Sequence, residues 1–388
     1  MGKNWGINKC FATTVRGLEQ ELVNELITLG AKDIVIRNAG VEFKADFESI
    51  IKINMGSRIA SRVLWQVATA RYANEDDIYQ MAHMINWQEY FKVEKSIKVS
   101  TTAIKSPVKS LEFLTLKVKD AVCDKFSQLY GVRPNVDKAN PDIRLYLFLT
   151  EDTQTLYIDT SGEALFKRGY RDAKLEAPLK ENLAAGLLAL AKYDGTTPFY
   201  DPMCGSGTIA IEAAMIALNI APGLHRGFAF ENILDYPEAF YTQHKSMLLQ
   251  VQQLDKQVEI YASDISYKAI EVTKDNVFKA GLADYISINR KDFLESDKPS
   301  DSGMLLTNLP YGVRLQDEDE LAVMYPFIGD SLKKNYTNWN TFWLTSDLRF
   351  AKLVRLTPKR KTPVFNGSLE CRLYNIPVVN GSNRKVKE

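Results

Sequence analysis

A chain of 388 residues is longer than one ordinary hydrophobic core supports, so two or three domains are expected. Hydrophobic residues at 45% and charged residues at 25% are the proportions of a soluble globular protein. Lys plus Arg at 49 balances Asp plus Glu at 48, which excludes a global polycation and confines any nucleic-acid contact to a local surface.

The four cysteines, Cys10, Cys123, Cys204 and Cys371, have neither metal-ligand nor disulfide-framework spacing and suit a reducing cytoplasm. His83, His225 and His244 make no cluster, so no metal site is expected. Met1-Gly-Lys-Asn-Trp5 is followed by no apolar run, and a signal peptide is not expected. The longest weakly charged stretch, 202–225, carries Glu212 and several glycines; it reads as a buried helix and not as a membrane span.

In chain order, a strand is predicted over 10–15, an amphipathic helix over 17–29 and strands over 33–38 and 41–43. Leu18, Leu22, Leu26 and Leu29 recur at helical spacing and Gly30 ends the run. This is a small αβ unit of ferredoxin-like character. Alternation continues with a helix over 50–57, a strand over 62–70, a helix over 75–84, a strand over 96–101 and a helix over 111–130. Two closing strands, 144–150 and 153–160, are joined by Glu151-Asp152.

Between 89 and 144 lie Lys92, Lys95, Lys98, Lys105, Lys109, Lys117, Lys119, Lys125, Arg133, Lys138 and Arg144, with fewer acids among them. Either a solvated surface or a modest phosphate-binding face accounts for them. Leu165-Phe-Lys-Arg-Gly-Tyr-Arg171 then mixes aromatic and cationic side chains. Lys167, Arg168, Tyr170 and Arg171 suit base stacking and phosphate neutralisation in RNA; a well-packed linker explains them equally.

From 173 to 379 helices alternate with short apolar strands at the spacing of a doubly wound sheet. Phe199-Tyr-Asp-Pro-Met-Cys-Gly-Ser-Gly-Thr208 runs from a strand end through a glycine loop into a helix over 208–218. Gly205, Gly207 and Ala210 even satisfy a dinucleotide pattern, so a nicotinamide dehydrogenase enters the comparison. Against it, Asp201 opens the loop with a carboxylate, which suits the ammonium of a methionine and repels pyrophosphate. The next strand-end acid, Asp264, lies well beyond the roughly 20-residue spacing of a dinucleotide unit.

Asp264 ends a strand over 258–264 and precedes a helix over 266–280, where a carboxylate accepts both ribose hydroxyls of a bound nucleoside; the competing role is a helix N-cap. Asp292, after the strand 286–289, suits an adenine amino group, with Phe293 stacking nearby; a surface acid is the alternative.

Gly303-Met-Leu-Leu-Thr-Asn-Leu-Pro-Tyr-Gly-Val-Arg314 carries the transfer chemistry. A strand over 304–307 delivers Asn308, Leu309, Pro310 and Tyr311 to the ligand-binding edge of the sheet. The lone pair of an exocyclic base amine is conjugated with its ring. The Asn308 amide oxygen and the backbone carbonyl of residue 309 hold the amine hydrogens and favour a pyramidal nitrogen, Tyr311 stacks on the flipped base, and Pro310 stiffens the turn. Alignment and desolvation supply the catalysis, with no metal or covalent nucleophile. Methylation of a pyrimidine carbon, which needs a thiolate adduct, is disfavoured because no Pro-Cys pair ends this strand. Cys204 reads as a packing residue of the loop.

These motifs, together with Ala177-Pro-Leu-Lys-Glu-Asn-Leu183, Ala210-Ile-Glu-Ala-Ala214 and Leu369-Glu-Cys-Arg-Leu-Tyr374, resemble the THUMP-domain class I RNA methyltransferases, closest to the bacterial large-subunit ribosomal RNA guanine-N2 methyltransferases. The resemblance implies an α/β architecture: a ferredoxin-like unit over 1–60, a THUMP RNA-binding domain over 61–162 and a Rossmann-like methyltransferase domain with a mostly parallel sheet over 163–380, ending in a polar tail over 381–388. It implies S-adenosyl-L-methionine as cofactor and RNA as partner, either large-subunit rRNA or a ribosome assembly intermediate. Pro178, Leu179 and Lys180 fall where such enzymes touch the methionine end of the cofactor. The cofactor set is then Pro178, Leu179, Asp201, Pro202, Cys204, Gly205, Ser206, Gly207, Thr208, Asp264, Ile265, Asp292, Phe293 and Asn308. The usual tetrapeptide is Asn-Pro-Pro-Tyr, and Leu309 departs from it with an expected loss of loop rigidity. A DNA adenine-N6 methyltransferase shares the same Asn-x-Pro-Tyr chemistry, and a non-catalytic RNA-binding factor is the remaining alternative.

Overall fold

The computed structural model describes residues 6–171, 179–310 and 315–379, which divide into two compact units.

The first unit takes in most of residues 6–165 together with 225–247. Its chain order is β1 (Asn8–Thr13), α1 (Glu19–Thr28), β2 (Lys32–Arg37), β3 (Gly40–Ala45), α2 (Phe47–Gly56), β4 (Arg62–Arg71), α3 (Glu75–Met84), β5 (Ile97–Ala103), α4 (Leu111–Tyr130), β6 (Ile143–Leu149) and β7 (Thr153–Asp159). The seven strands form one sheet in the order β2-β3-β1-β4-β7-β6-β5, antiparallel except for the β5–β6 pair.

Local chemistry explains the boundaries. Asp46 caps α2 by accepting from the Ser49 amide, and Asn74 with Asp77 forms a reciprocal capping box on α3. Ser110 starts α4, which stops at Gly131 in the left-handed region. Along β6, Ile143, Leu145, Leu147 and Leu149 are buried while the residues between them are half exposed, so the period of two turns one row inward.

Residues 225–247 are stitched to this unit by hydrogen bonds to its main-chain carbonyls. Arg226 donates to the carbonyls of Ser161, Glu163 and Ala164, the Phe230 amide to Thr160 O at 3.0 Å, and the Leu234 amide to Tyr90 O at 2.7 Å. The final part of α7 (Glu238–Gln250) passes into the second unit.

The second unit contains α5 (Glu181–Ala191), β8 (Phe199–Asp201), α6 (Thr208–Ala217), β9 (Ile260–Asp264), α8 (Tyr267–Lys279), β10 (Ile286–Arg290), β11 (Gly303–Asn308), α9 (Leu315–Asn335), β12 (Trp339–Thr345), α10 (Phe350–Leu353), β13 (Arg360–Asn366) and β14 (Leu369–Pro377). Strand order is β10-β9-β8-β11-β12-β14-β13, parallel from β10 through β12 and antiparallel at β14 and β13. After β8 the chain builds outward through β9 and β10. It then returns to the other side of β8 with β11. The reversal between β8 and β11 is where an open α/β sheet leaves a crevice beyond its carboxyl edge.

Nearly the whole of α6 is buried, as the apolar stretch 202–225 predicts. Among the described residues no helix is long and apolar enough to cross a membrane. Trp339, Trp343, Tyr336, Tyr325 and Phe350 fill the core beside β11 and β12, edge-on or tilted to one another.

Candidate active site

β8 and β11 are hydrogen-bonded neighbours, so the glycine loop and the Asn308 turn leave the same carboxyl edge of the sheet side by side. Asp201, the last residue of β8, is 1% exposed. Its carboxylate accepts from the Thr307 hydroxyl at 2.7 Å and from the Met203 amide at 3.3 Å. Burial nevertheless pushes its pKa up to about 7, because two neutral donors do not replace lost hydration. A buried carboxylate of this kind is suited to a cationic ligand group.

In the loop, Gly205 has φ +55° and Gly207 has φ +78°. A Cβ on Gly205 would meet nothing within 4 Å, leaving its backbone open to a ligand; one on Gly207 would meet Thr273 Cγ2 at 2.7 Å. Gly207 also opens α6, so the loop presents a helix N-terminus at this edge. Pro202 and Thr208 are buried; Ser206 is half-buried, its hydroxyl 3.1 Å from that of Thr208. The Cys204 thiol is buried and its pKa raised by burial, which keeps it a neutral packing group.

Asp264 ends β9 and spans to the loop: Oδ2 accepts from the Gly205 amide at 3.0 Å and Oδ1 from the Ser266 amide at 2.9 Å. The competing N-cap role falls to Ser266, which accepts from Ala269. Ile265 is 61% exposed beside it, an apolar face suited to a flat ring. Asp292 caps a short 3-10 turn by accepting from the Leu294 amide at 2.9 Å. Phe293 departs from the stacking expectation. It is 2% exposed, tilted against Tyr336 and edge-on to Trp343, so its ring belongs to the core.

Asn308 is half-buried at the end of β11, paired with Leu344 of β12, and Pro310 is exposed. Leu309 is 1% exposed in the aromatic core, and its amide donates to Leu344 O at 3.0 Å. A proline there would lack this donor. The bond carries the β11–β12 ladder one residue past Asn308, so the rigidity expected to fall is supplied by a hydrogen bond and side-chain burial. Tyr311 and Pro178 lie outside the described residues.

The aromatic–cationic motif is rearranged relative to an RNA-facing surface. Lys167 is exposed, but Arg168 and Tyr170 are 5% and 4% exposed. Arg168 makes a two-pronged pair with Glu212 of α6, Nε to Oε1 at 3.1 Å and Nη2 to Oε2 at 3.4 Å. Arg171 is half-buried, donates to Leu179 O at 3.2 Å and to the Thr208 hydroxyl, and lies 3.5 Å from Glu181. Leu179 is itself buried. The packed-linker reading therefore holds for Arg168 and Tyr170, and a stacking or phosphate role is corrected for both.

Of the basic run in the first unit, Lys95, Lys117, Lys119, Arg133 and Arg144 are each paired with a carboxylate, which consumes part of the expected positive face. No sequence motif assigns a role in the site to Thr307, Thr273, Asn276 or Glu212. A polar residue recurring on the buried face of a helix or strand is the signal that would have found them. Among the described residues no group of three or more His, Cys, Asp or Glu is placed to hold a metal.

The residues present fit S-adenosylmethionine: a buried carboxylate for an ammonium, an open glycine backbone at a helix N-terminus and a strand-end carboxylate for a ribose. The comparisons with known proteins agree. Residues 168–375 match the RMKL-like methyltransferase domain, 72–159 the THUMP domain and 9–64 the RlmL ferredoxin-like domain. The chain is 34% identical over 379 residues to a ribosomal RNA large subunit methyltransferase K/L of Marinomonas sp. (strain MWYL1), covering 94% of this chain and 52% of that protein. It thus spans about half the length of that relative. The crystal structure of SMU.472 complexed with SAH is 30% identical with a TM-score of 0.88, covering 98% of this chain and 100% of its own. A Listeria monocytogenes str. 4b F2365 structure, described as a predicted N6-adenine-specific DNA methylase, is 31% identical with a TM-score of 0.87, covering 96% of this chain and 97% of its own. The chain belongs to the RMKL-like methyltransferase family, with ferredoxin-like and THUMP domains ahead of its methyltransferase domain.

Proposed function

We propose that this protein methylates an exocyclic amine of an RNA base in the cytoplasm, with N2 of guanine in large-subunit ribosomal RNA as the target. The observation that carries the reading is the adjacency of β8 and β11, which sets the glycine loop beside the Asn308 turn. The Asn308 side-chain oxygen and the Leu309 carbonyl accept the amine hydrogens, and the nitrogen lone pair is freed from the ring. The bound cofactor supplies the electrophilic methyl. Asp201 holds a cationic group of that cofactor, and Asp264 holds hydroxyls.

Support for RNA as partner comes from the THUMP match and from the name of the Marinomonas relative, a ribosomal RNA large subunit methyltransferase. In the first unit, Phe113 is 46% exposed, and Lys105 and Lys109 are exposed on the segment leading into α4. Stacking and phosphate neutralisation of an unpaired strand use such a mixture.

The description of the Listeria structure as a predicted N6-adenine-specific DNA methylase supports a second, DNA adenine-N6 reading, since the same two acceptors serve either amine. Transfer of a labelled methyl group into ribosomal RNA, plasmid DNA or neither separates the readings. Nucleoside mass spectrometry of ribosomal RNA from cells lacking the protein identifies the base. Label in DNA alone would overturn the RNA proposal, and label in neither would overturn both.

A further inference from the structure

Two buried polar side chains of α8 reach the cofactor loop. The Thr273 hydroxyl donates to the Gly205 carbonyl at 2.9 Å, and the Asn276 amide donates to the Ser206 carbonyl at 2.9 Å. They are 0% and 1% exposed, and they share a helix face with Ile270 and Val277, which are also buried. An apolar pair would pack this face equally well. Thr and Asn there would cost free energy unless satisfied, and what satisfies them is the backbone of two consecutive loop residues.

The consequence follows from peptide geometry. In a trans peptide the carbonyl and the amide hydrogen point to opposite sides. Drawing the Gly205 carbonyl onto α8 turns the Ser206 amide away from α8. Drawing the Ser206 carbonyl there turns the Gly207 amide the same way, where it closes on Cys204 O at 2.7 Å. The Gly205 amide is meanwhile held by Asp264. The left-handed Gly207 packs directly on Thr273, so the loop is seated on α8 as well as bonded to it.

We propose that Thr273 and Asn276 are positioning residues for S-adenosylmethionine. By fixing the rotation of two loop peptides they aim the Ser206 amide, and with it the first turn of α6, at the side from which the cofactor is bound. Neither residue touches the reacting atoms. Their contribution is to cofactor affinity, and it does not depend on which base is methylated.

Calorimetric titration with S-adenosylhomocysteine tests this. Thr273→Val keeps the shape and removes the donor; it is expected to weaken binding about tenfold, the loss of one buried hydrogen bond. Thr273→Ser restores the donor and is expected to bind within about twofold of the natural protein, a rescue that packing alone would not give. Asn276→Leu should repeat the loss. Wild-type affinity in Thr273→Val, or a Thr273→Ser variant as weak as Thr273→Val, would overturn the proposal. Should the variants fail to fold, hydrogen exchange on the unaltered protein decides: the Ser206 amide is expected to gain protection when S-adenosylhomocysteine is added, and unchanged exchange there refutes the assignment.

Discussion

The Thr307 hydroxyl donates a 2.7 Å hydrogen bond to the Asp201 carboxylate, tying the strand that ends in the cofactor loop to the strand that ends in Asn308. The bond sits one residue before Asn308, so donor loop and acceptor turn share a rigid base. The bond pulls the Asp201 pKa down, but burial outweighs it and leaves the carboxyl raised to about 7.

A pH dependence follows. With its pKa raised to about 7, Asp201 is largely protonated at pH 6 and ionised at pH 8 in the ligand-free protein. A cationic ligand group binds the ionised form, so S-adenosylhomocysteine should bind more tightly as pH rises through 7, by at most about tenfold per pH unit below it. The stability sign is the reverse: a raised carboxyl pKa costs folding free energy once pH exceeds its unfolded value near 4. Ligand-free Asp201→Asn should therefore melt no lower than the natural protein at pH 8 while losing the pH dependence of binding. Calorimetry at three pH values and thermal melts check both.

Asn308→Ala removes one of the two acceptors for the amine. Methyl transfer should fall at least about a hundredfold, the cost of losing substrate alignment, with cofactor affinity nearly unchanged. Parallel loss of cofactor binding would refute a substrate-orienting role.

Asp264→Ala should weaken cofactor binding by about 1–3 kcal/mol, the scale of a charged hydrogen bond. Since Asp264 also holds the Gly205 and Ser266 amides, Asp264→Asn is expected to retain part of that affinity. Equal affinity in the natural protein and Asp264→Ala would exclude the contact.

Arg168 and Glu212 form a fully buried pair, and breaking it from one side strands a charge. Glu212→Ala should cost roughly 3–5 kcal/mol of stability in urea unfolding, whereas Lys167→Ala, on the exposed side of the same motif, should leave stability within about 0.5 kcal/mol. Similar small losses for both would return Arg168 to the surface role.

Leu309→Pro restores the tetrapeptide common in the family and deletes the amide bond to Leu344. With the side chain withdrawn from the core as well, a loss of about 2–4 kcal/mol is expected, with residual activity because the carbonyl acceptor persists. Stability at the natural level would show that neither contact matters.

Much of the molecule was legible in the linear sequence because its signals are local. Helical spacing of Leu18, Leu22 and Leu26, the Gly30 that ends that run, and the glycines 205 and 207 act within a few residues of where they stand. So did the two loops on which the chemistry rests: a strand end, a glycine turn and a helix start are written consecutively. What tertiary structure alone decided is which side chains face inward and what they meet. Arg168 looks cationic and free in sequence, yet Glu212, 44 residues away, makes it a core residue. Phe293 resembles a stacking platform until Tyr336 and Trp343 close over it. No local signal marks the roles of Thr273 and Thr307; their importance lies in meeting Gly205 and Asp201 across 68 and 106 residues of chain. Burial and long-range hydrogen bonding depend on the packing of distant segments, and no window of consecutive residues contains that information.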